Sequence, residues 1–376
     1  MEKARVYYTD FRAKLGEGLP TKMKRLMKKA GISEIDMENK FVAIKMHFGE
    51  MGNISYLRPN YAKAVADVVK ELGGKPFLTD CNTLYPGSRK NALEHLYCAW
   101  ENGFTPLSVG CPVIIGDGLK GTDDIEVPVQ GGEYIEKAKI GRAVMDADVF
   151  ISLTHFKGHE TTGFGGTIKN IGMGCGSRAG KKDQHSVGKP TIDQEACRGC
   201  KSCLRECAND GLIYDADARK MSIDLEHCVG CGRCIGACNF DAISFMDSAA
   251  TKVLNCKMAE YTKAVVYGRP NFHISLIVDV SPNCDCHPEN DAPILPNIGM
   301  FASFDPLALD QACADVCLSA TPLPHSQLAD RMEEENFCDH HDHFENTTPN
   351  SEYKTCLAHA EKIGLGTREY ELIYMK

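Results

Sequence analysis

The chain has no apolar run long enough to cross a membrane and no cluster of lysine and arginine, and each absence narrows what it can be. With 43% hydrophobic residues over 376 positions, it is expected to form one large or two modest domains and to have no membrane partner. The opening MEKARVYYTDFRAKLGEG lacks an apolar core and a small-residue cleavage site, so a cytoplasmic location is expected. A net charge of -9 without a basic run argues against nucleic acid as a partner.

Cysteine, by contrast, is abundant: there are 19. In a reducing compartment thiols stay free or bind metal, so a dense cysteine cluster points to metal rather than disulfides. CRGCKSCLREC (197–207) and CVGCGRCIGAC (228–238) both read C-x2-C-x2-C-x3-C, and the second block repeats the first at a period of 31. Bacterial ferredoxins wrap 4Fe-4S clusters with this spacing: three close thiolates cap one cluster and the fourth reaches across to the other. The pattern therefore assigns Cys197, Cys200, Cys203 and Cys238 to one cluster, and Cys228, Cys231, Cys234 and Cys207 to a second. Structural zinc is the alternative, but it normally takes its four ligands as two separated pairs. Ala208 and Asn239 stand where such ferredoxins usually carry proline, a departure that touches the turn and the hydrogen bonds to the cluster rather than its ligation. Between Thr191 and Asp247 there are ten acidic and six basic residues, a surplus that can steer the segment toward a basic redox partner or simply form a solvated surface.

Outside these blocks the pattern alternates. FVAIKM (41–46) reads as a strand ending near His47, NYAKAVADVVKELGGK as a helix with a glycine stop, PFLTDCN as a strand ending at Asp80, and DADVFISLTHFKGH as a buried strand ending at His155. After residue 247 come a helix, the strand-like HISLIVDV, the helical DPLALDQACADVC, a polar stretch at 321–350 expected to be irregular, and a final helix, glycine stop and strand. The expectation is an α/β fold with a mostly parallel, helix-covered sheet, residues 1–190 and 248–376 forming one domain and 191–247 an inserted two-cluster module. Ligands of such sheets sit at the carboxyl ends of the strands, where His47, Asp80 and His155 fall.

HFKGHETTGFGGTIKNIGMGCG (155–176) holds two histidines, two lysines and seven glycines, a composition that lets backbone approach a ligand closely or that forms a plain surface loop. Cys284 and Cys286 form a C-x-C after a strand; two thiols so close can share a metal, completed by His287 or Asp279, or react as a redox pair. His340, His341 and His343 lie in CDHHDHFE, which can bind metal or be a polar loop. Cys81, Cys98, Cys111, Cys175, Cys256, Cys313, Cys317 and Cys356 read as small core residues.

Taken with VAIKMHFGEMGNISYLRP (42–59), VDVSPNCDC (278–286) and FASFDPLALD (301–310), the 155–176 loop resembles the iron-sulfur centre family catalogued as domain of unknown function number 362, and the resemblance covers nearly the whole chain, its C-x-C included. A weaker similarity extends to the N-terminal domain of nickel-dependent lactate racemases. It implies that Arg58 of YLRP contacts an anionic substrate and that His155 or His159, with Lys169, lies near a cofactor; the location of a site is implied, not the reaction.

The combined expectation is an oxidoreductase in which two 4Fe-4S clusters pass single electrons to a site of His47, Arg58, Asp80, His155, His159 and Lys169, with Gly163, Gly165, Gly166 and Lys169 holding a cofactor and Cys284 and Cys286 binding a further metal. Its ligand would be a small anion and its partner a redox protein such as a flavoprotein or another ferredoxin. Nothing in the sequence identifies a flavin. The alternative is a non-enzymatic electron carrier or metal-delivery protein that docks a redox partner.

Overall fold

The computed structural model describes residues 3–375 apart from 86, 186–188, 231–232, 239, 241, 246–247 and 350. Eight strands build the central sheet: β1 (Ala4–Asp10), β2 (Phe41–Lys45), β3 (Lys75–Asp80), β4 (Val113–Ile115), β5 (Val149–His155), β6 (Asn271–Ile277), β7 (Gly299–Ser303) and β8 (Tyr370–Tyr374), in the order β8-β1-β7-β6-β5-β2-β3-β4. From β6 to β4 every pairing is parallel; β7 runs antiparallel to both β6 and β1, and β8 pairs parallel with β1. The fold is thus α/β with a mostly parallel sheet, as expected from the alternation of strands and helices.

The central strands are apolar runs because both faces are covered. Val42, Ile44, Ile151 and Ile274 pack toward α1 (Leu19–Lys29) and α2 (Pro59–Glu71), meeting Met23, Leu26, Val65 and Val69. Ala43 and Phe150, one residue out of step, point to the opposite face. There α3 (Thr167–Cys175), α4 (Ser248–Val266) and α5 (Pro306–Leu318) supply Ile168, Ile171, Met258, Leu307 and Ala312. A polar pair is built into this core: Ser152 Oγ lies 2.9 Å from His273 Nδ1 across neighbouring strands.

β5 and β6 flank the cysteine blocks in sequence and pair directly, Leu153 opposite Ile274. Pro190–Ile192 pairs antiparallel with Ile243–Phe245, so the chain enters and leaves the 191–247 segment side by side. The polar 321–350 stretch is more regular than its composition suggests: Gln327–Met332 and His343–Thr347 are short helices, N-capped by Ser326 and Asp342. The eight cysteines read as core residues are all buried.

The C-terminal helix α6 (Lys354–Lys362) is tied to α4 by His359 Nε2, 2.9 Å from Glu260 Oε1, and the same carboxylate accepts the backbone N–H groups of Glu133 and Ile135 at 2.7 Å. Burial pushes the His359 imidazole down, but Cys256 and Glu260 outweigh it and carry it up to about 9. The charged ring is favoured by folding, so its contribution is complete below its unfolded value and is lost as pH rises through about 9. After allowance for solvent screening, about 1–2 kcal/mol of stability is expected to disappear over that interval. Urea melts at stepped pH should show it, and His359→Gln should flatten the profile; parallel profiles for both proteins would refute the assignment.

Candidate functional site at the carboxyl ends of the strands

The loop that follows β6 carries Cys284, Asp285 and Cys286 into the interior, all three buried. The Asp285 carboxylate accepts from His155 Nδ1 at 2.9 Å and lies 3.5 Å from Lys157 Nζ, while its backbone carbonyl accepts from Glu50 N at 2.8 Å. His155 Nε2 is 2.7 Å from the Val278 carbonyl. With His287 N donating to Cys284 O at 3.0 Å, the C-x-C turn is pinned on both flanks.

The two thiols are thereby made unequal. A hydrogen bond from Cys286 holds the Cys284 thiol well below its usual range, against burial and helped by Lys169 and His159, and the same bond pushes Cys286 up to about 12. The surroundings thus favour negative charge on Cys284 over Cys286. Lys169 Nζ donates to Cys284 Sγ at 3.4 Å. Burial disfavours the Lys169 charge, yet Cys284 and Cys286 raise its pKa overall. His159 Nδ1 accepts from Thr161 N at 3.0 Å and Thr162 N at 3.2 Å, which assigns its proton to Nε2, the nitrogen left to donate to Cys284. Glu160 Oε1 lies 3.0 Å from His287 Nε2, while its buried Oε2 has no hydrogen-bond partner.

Beside the turn lies a small cavity of about 40 Å³, whose wall includes Tyr85, His159, Glu160, Lys169, His185, Arg233 and Cys286. Burial pushes the His185 imidazole down to about 3, and its Nδ1 has no partner. Arg233 comes from the 191–247 segment: NH1 donates to the Cys286 carbonyl at 2.9 Å, Nε to Glu206 at 2.7 Å, and the guanidinium stacks 5.0 Å from the Tyr85 ring centre.

Of the residues expected here, His159, Lys169 and Cys286 line the cavity, with Cys284 in contact with Lys169. The others have different work. His47 accepts from Gly49 N at 2.9 Å and sits 2.9 Å from Arg89 NH1; burial, then Arg89, lowers its pKa to about 3. Asp80 forms a buried ion pair with Lys45 at 3.0 Å. His155 braces Asp285 rather than facing the cavity. The Arg58 side chain is 68% exposed, with Asp279 3.8 Å away. The glycines serve packing: a Cβ would come within 2.8 Å of Tyr353 at Gly163, 3.2 Å of Lys157 at Gly165 and 2.5 Å of Asp310 at Gly166. Asp310 needs that room because it accepts the Thr167 and Ile168 N–H groups that open α3.

The three histidines near residue 340 do not converge. His341 pairs with Asp339, His343 bonds the Ala320 carbonyl, and His340 is exposed. Sequence reasoning missed Glu160, His185 and Arg233. Glu160 was signalled only by adjacency to His159, Arg233 sits in a spacer between cysteines, and His185 lies in the linker before the first block.

Within the 191–247 segment the cysteines gather around two hollows. Cys197, Cys200, Cys203 and Cys238 border one, with Met221, Ala242 and Ile243. Cys207, Cys228 and Cys234 border another, with Leu212, Ile223 and Arg233. Cys231 and Asn239 lie outside the described residues. Cys200 is exposed, whereas Cys197 and Cys203 are buried.

These features define an α/β protein with a buried thiol pair at its strand ends and grouped cysteines beside it. A family model described as a domain of unknown function, DUF362, matches residues 42–315, and the chain belongs to that family. The thylakoid-associated protein sll1697 of Synechocystis sp. is 32% identical over 124 residues; the match spans 31% of this chain and 32% of that relative's length. The lactate racemase apoprotein of Thermoanaerobacterium thermosaccharolyticum superimposes with a TM-score of 0.36 and 11% identity, covering 73% of this chain and 51% of that one. A Thermotoga maritima protein gives 0.36 and 10%, covering 79% and 57%. Superpositions this loose carry no statement about chemistry. Among the described residues, no helix is long and apolar enough to cross a membrane.

Proposed function

We propose that this chain is an iron-sulfur redox protein, with residues 191–247 an inserted two-cluster ferredoxin module that exchanges single electrons with the strand-end site. The observation that carries the reading is the partition of cysteines. Cys238, from the second block, joins the first three of the first block around one hollow, and Cys207 joins the second block around the other. That crossing is the ligand exchange a pair of 4Fe-4S clusters requires. The hollows suit such groups, since apart from the cysteines their walls are largely apolar. When bound, the clusters would supply one-electron chemistry, while the protein sets geometry and potential.

Arg233 supports the link to the rest of the molecule. It precedes Cys234, borders the second hollow, and hydrogen-bonds the Cys286 carbonyl, so a short bonded path joins that hollow to the thiol pair. At the other end, the exposed Cys200 offers a redox partner close approach to the first hollow. In the cavity, Lys169 and Arg233 would attract a small carboxylate or phosphate ligand, and His159 holds a proton at Nε2 beside Cys284. An oxidoreductase acting on a small anion is the reading these groups support best.

Protein purified and reconstituted without oxygen should contain about eight irons and eight acid-labile sulfides per chain, with broad visible absorbance that dithionite bleaches. Folded protein saturated with zinc and refusing iron would sink the proposal.

A further inference from the structure

We propose that Glu160, Cys286 and His287 form a site for one borderline-soft divalent cation, zinc or ferrous iron, separate from the two cysteine hollows and independent of what those hollows hold. A carboxylate oxygen of Glu160, the Cys286 sulfur and an imidazole nitrogen of His287 lie within 4.8 Å of one another. Small side-chain adjustments would let bonds of about 2.0–2.3 Å meet at one ion. Mixed sulfur, nitrogen and oxygen donors suit zinc or iron and not magnesium or calcium, which take oxygen ligands.

Two further observations point to a cation rather than to an accidental cluster. Glu160 Oε2 is buried and makes no hydrogen bond, with His159 Nδ1 3.6 Å away, although buried carboxylate oxygens are normally satisfied. His287 stands between two carboxylates, Nε2 3.0 Å from Glu160 Oε1 and Nδ1 3.5 Å from Glu289 Oε1, so a cation taken up between Nε2 and Glu160 would leave Glu289 behind the ring. A carboxylate behind the ring is the usual outer partner that fixes a ligating imidazole. The backbone is held as well, by Asn53 Nδ2 on the His287 carbonyl at 2.9 Å and by Arg233 on the Cys286 carbonyl at 2.9 Å. The donors are therefore positioned before any ion arrives.

The site also has an open side. Glu160 and Cys286 border the small cavity together with Lys169 and His185. An ion held by three protein donors there keeps a fourth position facing that space, the arrangement of a reactive rather than a purely structural site. A small anion could then bind the cation directly while Lys169 neutralises its remaining charge.

The experiment is equilibrium dialysis of the full-length, anaerobically prepared protein against zinc, followed by zinc X-ray absorption on the same sample. One zinc per chain is expected, with a single sulfur at about 2.3 Å and nitrogen or oxygen ligands at about 2.0–2.1 Å. Glu160→Gln and His287→Gln should each weaken zinc binding more than about 100-fold, beyond the effect of losing an outer partner, with the acid-labile sulfide content unchanged. Should those variants fold poorly, the wild-type sulfur count decides alone. Coordination by four sulfurs would place zinc in the cysteine blocks and overturn the proposal, as would absence of binding or equal binding by folded variants.

Discussion

Asp80→Ala is expected to destabilise the protein by about 3–5 kcal/mol, because it leaves the Lys45 ammonium buried without its counter-charge. Lys45 is 1% exposed, on the last residue of β2, and Asp80 closes the neighbouring β3. Lys45 Nζ also donates to Asn170 Oδ1 at 2.8 Å and to its neighbour's carbonyl at 3.2 Å, so partial compensation places the loss toward the lower end of the range. Burial works against the Asp80 charge, but Lys45, His47 and His95 hold its carboxyl well below the usual range. Removing both charges with Lys45→Met and Asp80→Asn should recover more than half of the loss, since the penalty lies in the orphaned ion rather than in the absence of the pair. Urea unfolding of the single and double variants measures this. A single variant of wild-type stability would refute the penalty assigned to the orphaned Lys45 charge.

The same residue illustrates how far sequence reading reaches. The apolar runs at 41–46 and 149–155 predicted strands whose carboxyl ends carry the site, and both strands are central in the sheet. That reasoning locates an end of the sheet but not the direction in which a side chain turns once there. Asp80 turns to Lys45 and His155 to Asp285, because a buried charge seeks the nearest opposite charge or hydrogen-bond partner. Arg58 has no such partner within 3.5 Å and stays in solvent. The residues that complete the cavity were hidden for a different reason. Glu160, His185 and Arg233 come from three separate segments, and only folding brings them to one wall. β1 escaped notice because it lies near the sheet edge and is half-buried along most of its length, leaving no apolar run to read.

Cys238→Ser should remove iron from the hollow bordered by the first block, even though Cys238 belongs to the second. The cysteine partition predicts two classes of variant. Cys203→Ser and Cys238→Ser should each lower iron from about eight to about four per chain and leave the same surviving cluster, whereas Cys207→Ser and Cys234→Ser should leave the other. Electron paramagnetic resonance of the reduced variants distinguishes the survivors by their spectra. The effect on folding should also be local. Cys197 and Cys203 pack with Leu212, Met221, Ala242 and Ile243 in a core set apart from those of the main sheet. A core that small gains much of its stability from bound metal, so losing one cluster should expose residues 191–247 to protease while the sheet survives. Cys317→Ala is the contrast, because Cys317 is buried in the packing around α5 and touches neither hollow. It should cost stability through a cavity without changing the iron count. If Cys238→Ser instead leaves the same surviving spectrum as Cys234→Ser, each block serves its own metal, the exchange of fourth ligands is absent, and a pair of separate metal sites must replace the ferredoxin reading.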